Sequence, residues 1–268
     1  MKFGYHTLWK WKEPFSITID QISMAGFRGV ETHFDDVFPY FNDRKKFVNM
    51  MSEREMTLTS IYAASYWWGW LKWSWWRFHW WRYRRRWLRL VKFAAYVGCD
   101  RIVLGGHQYY LKTKGQIKEK ECQNIAKLLN KVGKTCDDYG IKATYHPNKS
   151  DMAKRGDFVE KICDLTDPDL VDLTIDTGHL TAGGVDLVQA LHKYRERVNL
   201  VHFKDFKNGQ LVSFGEGTIN FPMILDLLKS IGYNDWVIID DEPTTRTMFE
   251  SANKAKEYLN TNLISPVQ

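Results

Sequence analysis

The stretch VDLTIDTGH, Val171–His179, is a largely apolar run that ends on an acid, Asp176, with an imidazole, His179, three residues later. The next apolar run ends on HFKD, His202–Asp205, so a second strand-like segment delivers an imidazole and an acid at its carboxyl end. Parallel strands of an α/β barrel gather their carboxyl ends at one face, where such folds build their chemistry. Two more runs end in the same way, on YHPN, Tyr145–Asn148, and on DDEP, Asp240–Pro243. Four such endings in order along one chain predict one shared site.

Strand-like and helix-like segments alternate along the whole chain. The predicted strands are Lys2–His6, Gly29–His33, Thr57–Tyr62, Arg101–Leu104, Lys142–His146, Asp172–Asp176, Asn199–Phe203 and Trp236–Asp240. The predicted helices are Ser16–Ala25, Asp43–Glu55, Arg82–Val97, Gln116–Tyr139, Asp157–Leu165, Val185–Tyr194, Phe221–Ile231 and Thr247–Leu259. Four of these helices run into a glycine that is typical of helix C-caps, namely Gly26, Gly98, Gly140 and Gly232.

Eight βα units within 268 residues predict an α/β fold, a single closed (β/α)8 TIM barrel that forms one domain over residues 1–268. An open doubly wound sheet is the alternative, but the phosphate-binding GxGxxG that often marks one is missing.

The composition agrees with one large core, since 44% of the residues are hydrophobic. No run reaches the roughly 18 apolar residues that a membrane-spanning helix needs, and the amino-terminal stretch lacks the pattern of a secretory signal. The four cysteines, at positions 99, 122, 136 and 163, show no CxxC spacing. We therefore expect reduced, partly buried thiols and a cytoplasmic protein.

The formal net charge of +6 comes from one segment, Tyr66–Leu90, within the third βα unit. This Trp/Arg segment contains seven basic residues, no acidic residue and nine of the twelve tryptophans, and the rest of the chain has 31 basic against 32 acidic residues. Interleaved Trp and Arg could bind single-stranded nucleic acid or a membrane surface. The segment could also form a lid or a subunit interface, which leaves a homo-oligomer open, or its residues could depart from those of the natural chain.

Asp176 and His202 are the strongest candidates for metal ligands. A divalent ion such as Mn²⁺, Co²⁺, Mg²⁺ or Zn²⁺ accepts carboxylate and imidazole donors together, and a barrel brings side chains from different strands to one point. The structural alternative is that Asp176 caps the turn that follows it and that His202 is a hydrogen-bonded core histidine.

Other polar residues near the strand ends could contact a substrate. His179, expected in the loop above its strand, could bind a substrate hydroxyl or transfer a proton. Lys204 could neutralise a developing enolate oxygen or bind an anionic substrate, although a surface ion pair would also explain it. Further candidates for lining the barrel mouth are His6, Glu31, His33 and His107.

The chain resembles the sugar phosphate isomerase/epimerase group of xylose isomerase-like barrels, which includes ketose 3-epimerases and inosose dehydratases. The strongest carriers of the resemblance are DTGH at Asp176–His179 and VHFKD at Val201–Asp205. Supporting motifs are Val30-Glu31, RIVLGG at Arg101–Gly106, YHPN at Tyr145–Asn148, the glycine turn Gly215–Gly217 with Phe221-Pro222, and WVII at Trp236–Ile239. The resemblance covers residues 1 to about 60 and about 91 to the end.

The resemblance implies one divalent metal ion held by Glu, Asp, His and Glu from strands five to eight. Asp176 and His202 match the central pair. His146 stands where many relatives have the first Glu, and Asp240 stands where the last Glu is usual, with Glu242 as the fallback for the shorter Asp240. In the epimerases those two glutamates also move the substrate proton, so the catalytic candidates here are His146, Asp240 and Glu242. The metal set becomes His146, Asp176, His202 and Asp240, and a mechanism with two glutamates is in doubt.

The activity implied by the resemblance is a metal-dependent isomerisation or epimerisation of a sugar, sugar phosphate or polyol ketone through a metal-stabilised enediolate, in carbohydrate metabolism. Loss of a β-hydroxyl from the same enolate would make the enzyme a lyase, either an inosose-type dehydratase or one that cleaves a keto-glycoside. Alternatives from other classes are a nucleic-acid-binding protein that uses the Trp/Arg segment, a nuclease of endonuclease IV type, and an inactive partner subunit. The nuclease needs more His and Glu ligands than these strand ends supply. A small-molecule carbohydrate or polyol is therefore the expected partner rather than nucleic acid.

Overall fold

The structure is a computed structural model that describes residues 1–7, 13–63, 80–105, 119–148, 158–241 and 246–264, without the side chains of residues 80–84 and 121. Its strands in chain order are β1 Lys2–His6, β2 Gly29–His33, β3 Thr57–Tyr62, β4 Arg101–Gly105, β5 Lys142–His146, β6 Val171–Asp176, β7 Val198–Phe203, β8 Asp205–Lys207, β9 Gln210–Val212 and β10 Trp236–Ile239.

Eight of these strands form a closed parallel barrel in the order β1-β10-β7-β6-β5-β4-β3-β2. The predicted (β/α)8 barrel is thus confirmed, and all eight predicted strands lie in it. The two additional strands, β8 and β9, form an antiparallel hairpin after β7. Residues at the carboxyl ends of the barrel strands face one opening, here called the barrel mouth.

Helices follow the strands around the outside of the barrel. They are α1 Phe15–Met24, α2 Phe34–Val37, α3 Arg44–Ser52, α4 Trp80–Val97, α5 Glu119–Asp137, α6 Phe158–Leu165, α7 Thr177–Ala182, α8 Leu187–Tyr194, α9 Phe221–Ser230 and α10 Met248–Asn262. Side chains cap several of their first turns, as Asp43 caps α3 and Thr247 caps α10 in a capping box with Glu250. All four glycines predicted as C-caps have positive φ, between 70° and 87°.

Apolar side chains of both the strands and the surrounding helices form the core of the fold. The strands and the inward faces of the helices share one large core that includes Tyr5, Phe27 and Phe203, all without exposed surface. A separate small cluster of Val103, Leu200 and Ile238 is completely buried within the sheet. This packing holds the strands in fixed positions, so that their polar carboxyl ends are presented on a rigid frame. Within the described parts of the chain, no helix combines the length and apolarity needed to cross a bilayer.

Several local features differ from the expectations or add to them. Asp176 is followed by the short helix α7 instead of a loop, and α2 and the β8–β9 hairpin were not predicted. The four cysteines are free, as expected, but all are buried. Most of the Trp/Arg segment, residues 66–79, lies outside the described residues, and its end forms the start of α4. There Trp87 is buried, and Arg89 lies over the rings of Phe38 and Phe41.

Candidate metal centre

Four polar residues from neighbouring strands come together at the barrel mouth. His146 ends β5, Asp176 ends β6, His202 is the penultimate residue of β7, and Asp240 directly follows β10. In the sheet register Asp176 pairs with His202, which sets their side chains next to each other. One donor atom from each of the four residues lies within 4.8 Å of every other. Asp176 and His202 therefore satisfy the condition that the sequence prediction depends on, a separation below roughly 8 Å for ligands of one ion.

The distances within this cluster suit a metal ion better than direct hydrogen bonds. Nδ1 of His202 is 3.8 Å from Oδ2 of Asp176 and 3.8 Å from Oδ2 of Asp240, and Nε2 of His146 is 3.4 Å from Oδ2 of Asp176. Ligand atoms bound at about 2.0–2.2 Å to one ion are separated by roughly 3 to 4 Å.

The same atoms also lack other partners. Among the described residues, neither ring nitrogen of His146, nor Oδ2 of Asp176, nor Nδ1 of His202 has a hydrogen-bond partner, although all are buried. Buried polar atoms without a partner cost free energy, and a cation would remove that cost. The donor set therefore fits a divalent ion.

Asp176 combines a structural contact with a place in the cluster. Its Oδ1 accepts a hydrogen bond of 2.7 Å from the backbone N–H of His179 and so caps α7. Its Oδ2 points into the cluster. Complete burial by itself raises the pKa of Asp176, but the His179 and His146 imidazoles outweigh burial and lower it. From the sequence, a capping role and a metal-ligand role were alternatives for Asp176. The two oxygens of this carboxylate allow both.

Each of the two ring nitrogens of His202 faces a different part of the site. Nδ1 faces the cluster, while Nε2 lies 3.2 Å from Oε1 and 3.3 Å from Oε2 of Glu31. Oε2 of Glu31 also accepts a hydrogen bond of 2.5 Å from Oγ of Ser60. Burial by itself raises the pKa of Glu31, but the nearby imidazoles of His202 and His6 and the Ser60 hydroxyl outweigh it and bring this pKa to about 2. Glu31 is thus a buried carboxylate behind His202.

Lys204 and Asp240 form a buried ion pair at the edge of the cluster. Nζ of Lys204 is 3.0 Å from Oδ1 of Asp240 and donates to the Asp240 carbonyl oxygen at 3.3 Å. Burial opposes ionisation of Asp240, but the Lys204 ammonium together with the His6 and His202 imidazoles outweighs burial and holds the pKa of Asp240 well below its usual range. The backbone of Lys204 is fixed by Thr177, whose hydroxyl accepts from the Lys204 N–H and donates to its carbonyl oxygen. This lysine is therefore directed into the site and is not in a surface ion pair.

The remaining predicted site residues lie around the cluster or outside the described residues. His6 lies between two carboxylates, with Nδ1 3.3 Å from Oδ1 of Asp240 and Nε2 3.6 Å from Oε1 of Glu31. The His179 ring meets the His146 ring edge-on at 5.5 Å. Burial lowers the pKa of His179 to about 4, although the Asp176 carboxylate opposes this shift. His107 and Glu242 both lie outside the described residues.

Two residues at this site were missed by the sequence reasoning. Ser60 holds the Glu31 carboxylate, and the Tyr62 ring lies 5.6 Å from the His146 ring and 5.8 Å from the His6 ring. Both belong to the carboxyl-terminal half of β3, whose boundaries were predicted correctly. Applying the rule of polar strand ends to this third strand as well would have found them.

Comparisons with known proteins agree with this architecture. The family described as xylose isomerase-like TIM barrel matches residues 19–260. The chain is 24% identical over 282 aligned positions to the inosose dehydratase of Lacticaseibacillus casei, which covers 94% of this chain and 91% of that relative.

Two solved structures show the same fold. A sugar phosphate isomerase/epimerase from Parabacteroides distasonis has a TM-score of 0.74 with 20% identity, over 96% of this chain and 93% of its own. The IolI protein with a bound zinc atom has a TM-score of 0.75 with 17% identity, over 96% of both chains. The closed barrel and the match over most of the sequence confirm the resemblance: the chain belongs to the xylose isomerase-like TIM barrel family.

Proposed function

We propose that this protein is a metal-dependent enzyme that rearranges a sugar, sugar phosphate or polyol ketone, as an isomerase or epimerase. His146, Asp176, His202 and Asp240 would hold one divalent ion. The observation that carries the proposal is the convergence of four donor atoms within 4.8 Å of one another, several of them buried without a hydrogen-bond partner among the described residues. The named activities of the relatives support an enzyme, since they include a dehydratase and an isomerase/epimerase.

A bound divalent ion would polarise the carbonyl group of a hydroxy-ketone and stabilise negative charge on its oxygen. The chain itself would contribute a second positive charge through Lys204, whose ammonium lies 3.0 Å from Asp240 and is directed into the site. This ammonium would offset the negative charge that develops on a substrate oxygen next to the ligands.

Proton transfer would fall to His179 and to the residues that replace the family's two glutamates. With a pKa of about 4, His179 is uncharged near neutral pH and can accept a proton. Asp240 and His146 border the cluster from opposite sides of Asp176 and His202, so either could face a substrate carbon. Glu242 is the third candidate for this role.

The same site supports a lyase as the second candidate. Epimerisation by the family mechanism uses one glutamate on each face of the substrate, and this chain has an imidazole, His146, in place of the first. Elimination of a β-hydroxyl needs one base and one acid, which an imidazole and a carboxylate can provide. The name of the curated relative, inosose dehydratase, favours this reaction, and a keto-glycoside-cleaving enzyme is the related possibility.

Metal analysis tests the cluster directly. We expect about one divalent ion per chain in the purified protein and none in the double variant Asp176→Ala/His202→Ala. The matched control is Asp226→Ala/His192→Ala, because it removes the same two residue types from exposed helix positions and should keep the ion. Retention of stoichiometric metal by the first double variant would contradict the proposal.

Product analysis in deuterated water distinguishes the two reactions. The metal-loaded protein would be incubated with a panel of hydroxy-ketones and polyol ketones. An isomerase or epimerase returns a product with the elements of the substrate and one deuterium, on the carbon that lost its proton for an epimerase and on the neighbouring carbon for an isomerase. A dehydratase releases a product that lacks one water, and a keto-glycoside lyase releases the aglycone. If no substrate in the panel gave deuterium incorporation, loss of water or release of an aglycone, the result would favour the inactive partner subunit.

A further inference from the structure

Glu31 is a buried carboxylate that the ligand cluster does not include. It lies in the middle of β2, without exposed surface, on the opposite side of the His202 ring from Asp176 and Asp240. The sequence makes Glu31 a candidate for lining the barrel mouth and contacting a substrate. Its complete burial and its contacts with His202 and Ser60 place it behind a ligand instead.

The His202 imidazole connects Glu31 to the cluster. Nε2 is within hydrogen-bond distance of both Glu31 oxygens, at 3.2 and 3.3 Å, and Nδ1 faces the carboxylates of Asp176 and Asp240. A carboxylate can only accept hydrogen bonds, and a neutral imidazole carries one N–H. The hydrogen must therefore be on Nε2 for this contact to form, which leaves the lone pair of Nδ1 directed at the metal site.

We propose that Glu31 is a positioning residue that fixes the tautomer and orientation of His202 and increases its basicity as a metal ligand. This inference rests on the proposed function, since it requires a metal ion at the cluster. Carboxylates that accept from the outer N–H of a ligand histidine hold the ring in place, and their loss commonly lowers metal affinity ten- to a hundredfold. Glu31 would thus act through His202 and not through the substrate.

The barrel itself holds Glu31 in this position. Ser60 donates to Oε2 from the neighbouring strand β3, and β2 is hydrogen-bonded to β3 with Glu31 opposite Ser60. His6, from β1 on the other side, is also opposite Glu31 in register. Three adjacent strands therefore set the place of one carboxylate, which acts on a ligand 171 positions further along the chain.

The alternative is that Glu31 only stabilises the fold by pairing with His202. Two substitutions separate these roles. Glu31→Gln keeps the size of the side chain and an acceptor oxygen but removes the negative charge. Glu196→Gln makes the same substitution on a side chain that is 83% exposed and lies before the start of β7, so it is the matched control.

The test measures the affinity of purified protein for Co²⁺ by competition with a chelating dye, after the resident metal has been removed. We expect Glu31→Gln to weaken Co²⁺ binding about ten- to a hundredfold and Glu196→Gln to change it less than about threefold. Equal affinity of Glu31→Gln and the unaltered protein overturns the inference and leaves the proposed function standing. Failure of the unaltered protein to bind Co²⁺ overturns the proposed function itself.

A second measurement needs no folded variant of Glu31. In the zinc-loaded, ¹⁵N-labelled protein, the His202 ring should show a slowly exchanging proton on Nε2 and zinc coordination at Nδ1, with the signal assigned by its loss in His202→Gln. A merely structural contact would not fix which nitrogen binds the ion. A zinc-bound Nε2 with the proton on Nδ1 would overturn the inference.

Discussion

The two ends of the barrel bury charged groups in opposite ways. At the amino-terminal end, Arg101 is only 4% exposed, and hydrogen-bond acceptors surround its guanidinium. It donates to Asp100 at 2.9 Å, to Asp235 at 2.8 Å and to the carbonyl oxygen of Asn199 at 3.3 Å. At the mouth, Asp176, His202 and His146 are as deeply buried, but each keeps an atom that no described residue satisfies.

This difference indicates what each end is for. A buried charge with all its hydrogen bonds made contributes to a stable, specific structure, whereas buried groups left without partners cost stability until a ligand arrives. Active sites of this fold lie at the carboxyl ends of the strands, and residues at the other end serve stability. The comparison therefore predicts that substitutions at the two ends change different measured quantities.

The largest expected effect is on metal affinity at the mouth. Asp176→Asn should weaken Co²⁺ binding by at least about a hundredfold, because it replaces the charged oxygen in the cluster with a neutral group. The fold should be preserved, since Asn also caps helices well and can accept from the His179 N–H. The melting temperature of the metal-free variant should fall only slightly below that of the metal-free parent, because the cap is kept while a carboxylate that the His179 and His146 imidazoles favour is lost. A variant that binds Co²⁺ as tightly as the parent would remove Asp176 from the site.

The second largest effect is on stability at the opposite end. Arg101→Met should lower the free energy of unfolding by about 2–4 kcal/mol, since it removes a buried cation from three acceptors. Affinity for Co²⁺ should stay within about threefold of the parent. Urea denaturation and metal titration of the same preparation would measure both quantities.

The control for Arg101→Met is Arg195→Met, which removes an exposed arginine whose ion-pair partner among the described residues is its chain neighbour Glu196. We expect this control to cost less than about 0.5 kcal/mol. If Arg101→Met weakened metal binding as much as it weakened the fold, the division between the two ends of the barrel would be wrong.

Much of the barrel could be predicted from the sequence because its signals are local. Apolar runs of four to six residues between helical patterns marked all eight barrel strands, and the glycines at helix ends marked four helix boundaries. The convergence of Asp176 and His202 followed from topology alone, since parallel strand ends meet at one face. The hairpin was missed although its signal was present: Asn208-Gly209 is a two-residue turn with both φ angles positive.

Other features depend on contacts that no local pattern contains. The six residues of α7 are too few to show helical periodicity, and the helix forms because Asp176 caps it. The role that we propose for Glu31 depends on His202, which lies 171 positions further along the chain. The sequence therefore placed Glu31 near the site but not behind a ligand.

A third prediction concerns a turn near the barrel mouth whose backbone N–H groups surround a buried carboxylate. The Asp205 carboxylate accepts from four backbone N–H groups, those of residues 206, 215, 217 and 219. A Cβ added to Gly217 would lie 2.0 Å from Oδ1 of Asp205. Gly217→Ala should therefore displace this carboxylate and lower the free energy of unfolding by about 1–3 kcal/mol. Thr218→Ala is the control in the same turn and should cost less than about 1 kcal/mol.

This third variant sharpens the comparison, because the turn lies at the same end of the barrel as the metal cluster. One possibility is that a buried charged group serves stability whenever all its hydrogen bonds are made, at either end of the barrel. Gly217→Ala should then behave as Arg101→Met does, with lower stability and nearly unchanged metal affinity. A loss of Co²⁺ binding above about tenfold would show that position along the barrel axis is the better criterion.

The smallest expected effect is at Glu216, the middle residue of the glycine turn Gly215–Gly217. From the sequence alone, such a turn would leave this side chain in solvent. In the structure its carboxylate pairs with Lys254 and with Arg246, the latter at 2.6 Å. Hydrogen bonds from Lys254 and Arg246 lower the pKa of Glu216 below its ordinary value.

These contacts of Glu216 therefore add stability at pH values above the ordinary pKa of a glutamate, and this contribution is lost as the pH falls through the lowered pKa. Because the side chain is about one third exposed, solvent screening limits the contribution to under about 1 kcal/mol. Glu216→Gln should destabilise the protein slightly near neutral pH and low salt, and the difference should vanish at pH values below the lowered pKa of Glu216 or at high salt. Urea denaturation of parent and variant under these conditions measures it, and a difference that persisted at high salt would mean that Glu216 belongs with the buried, saturated groups.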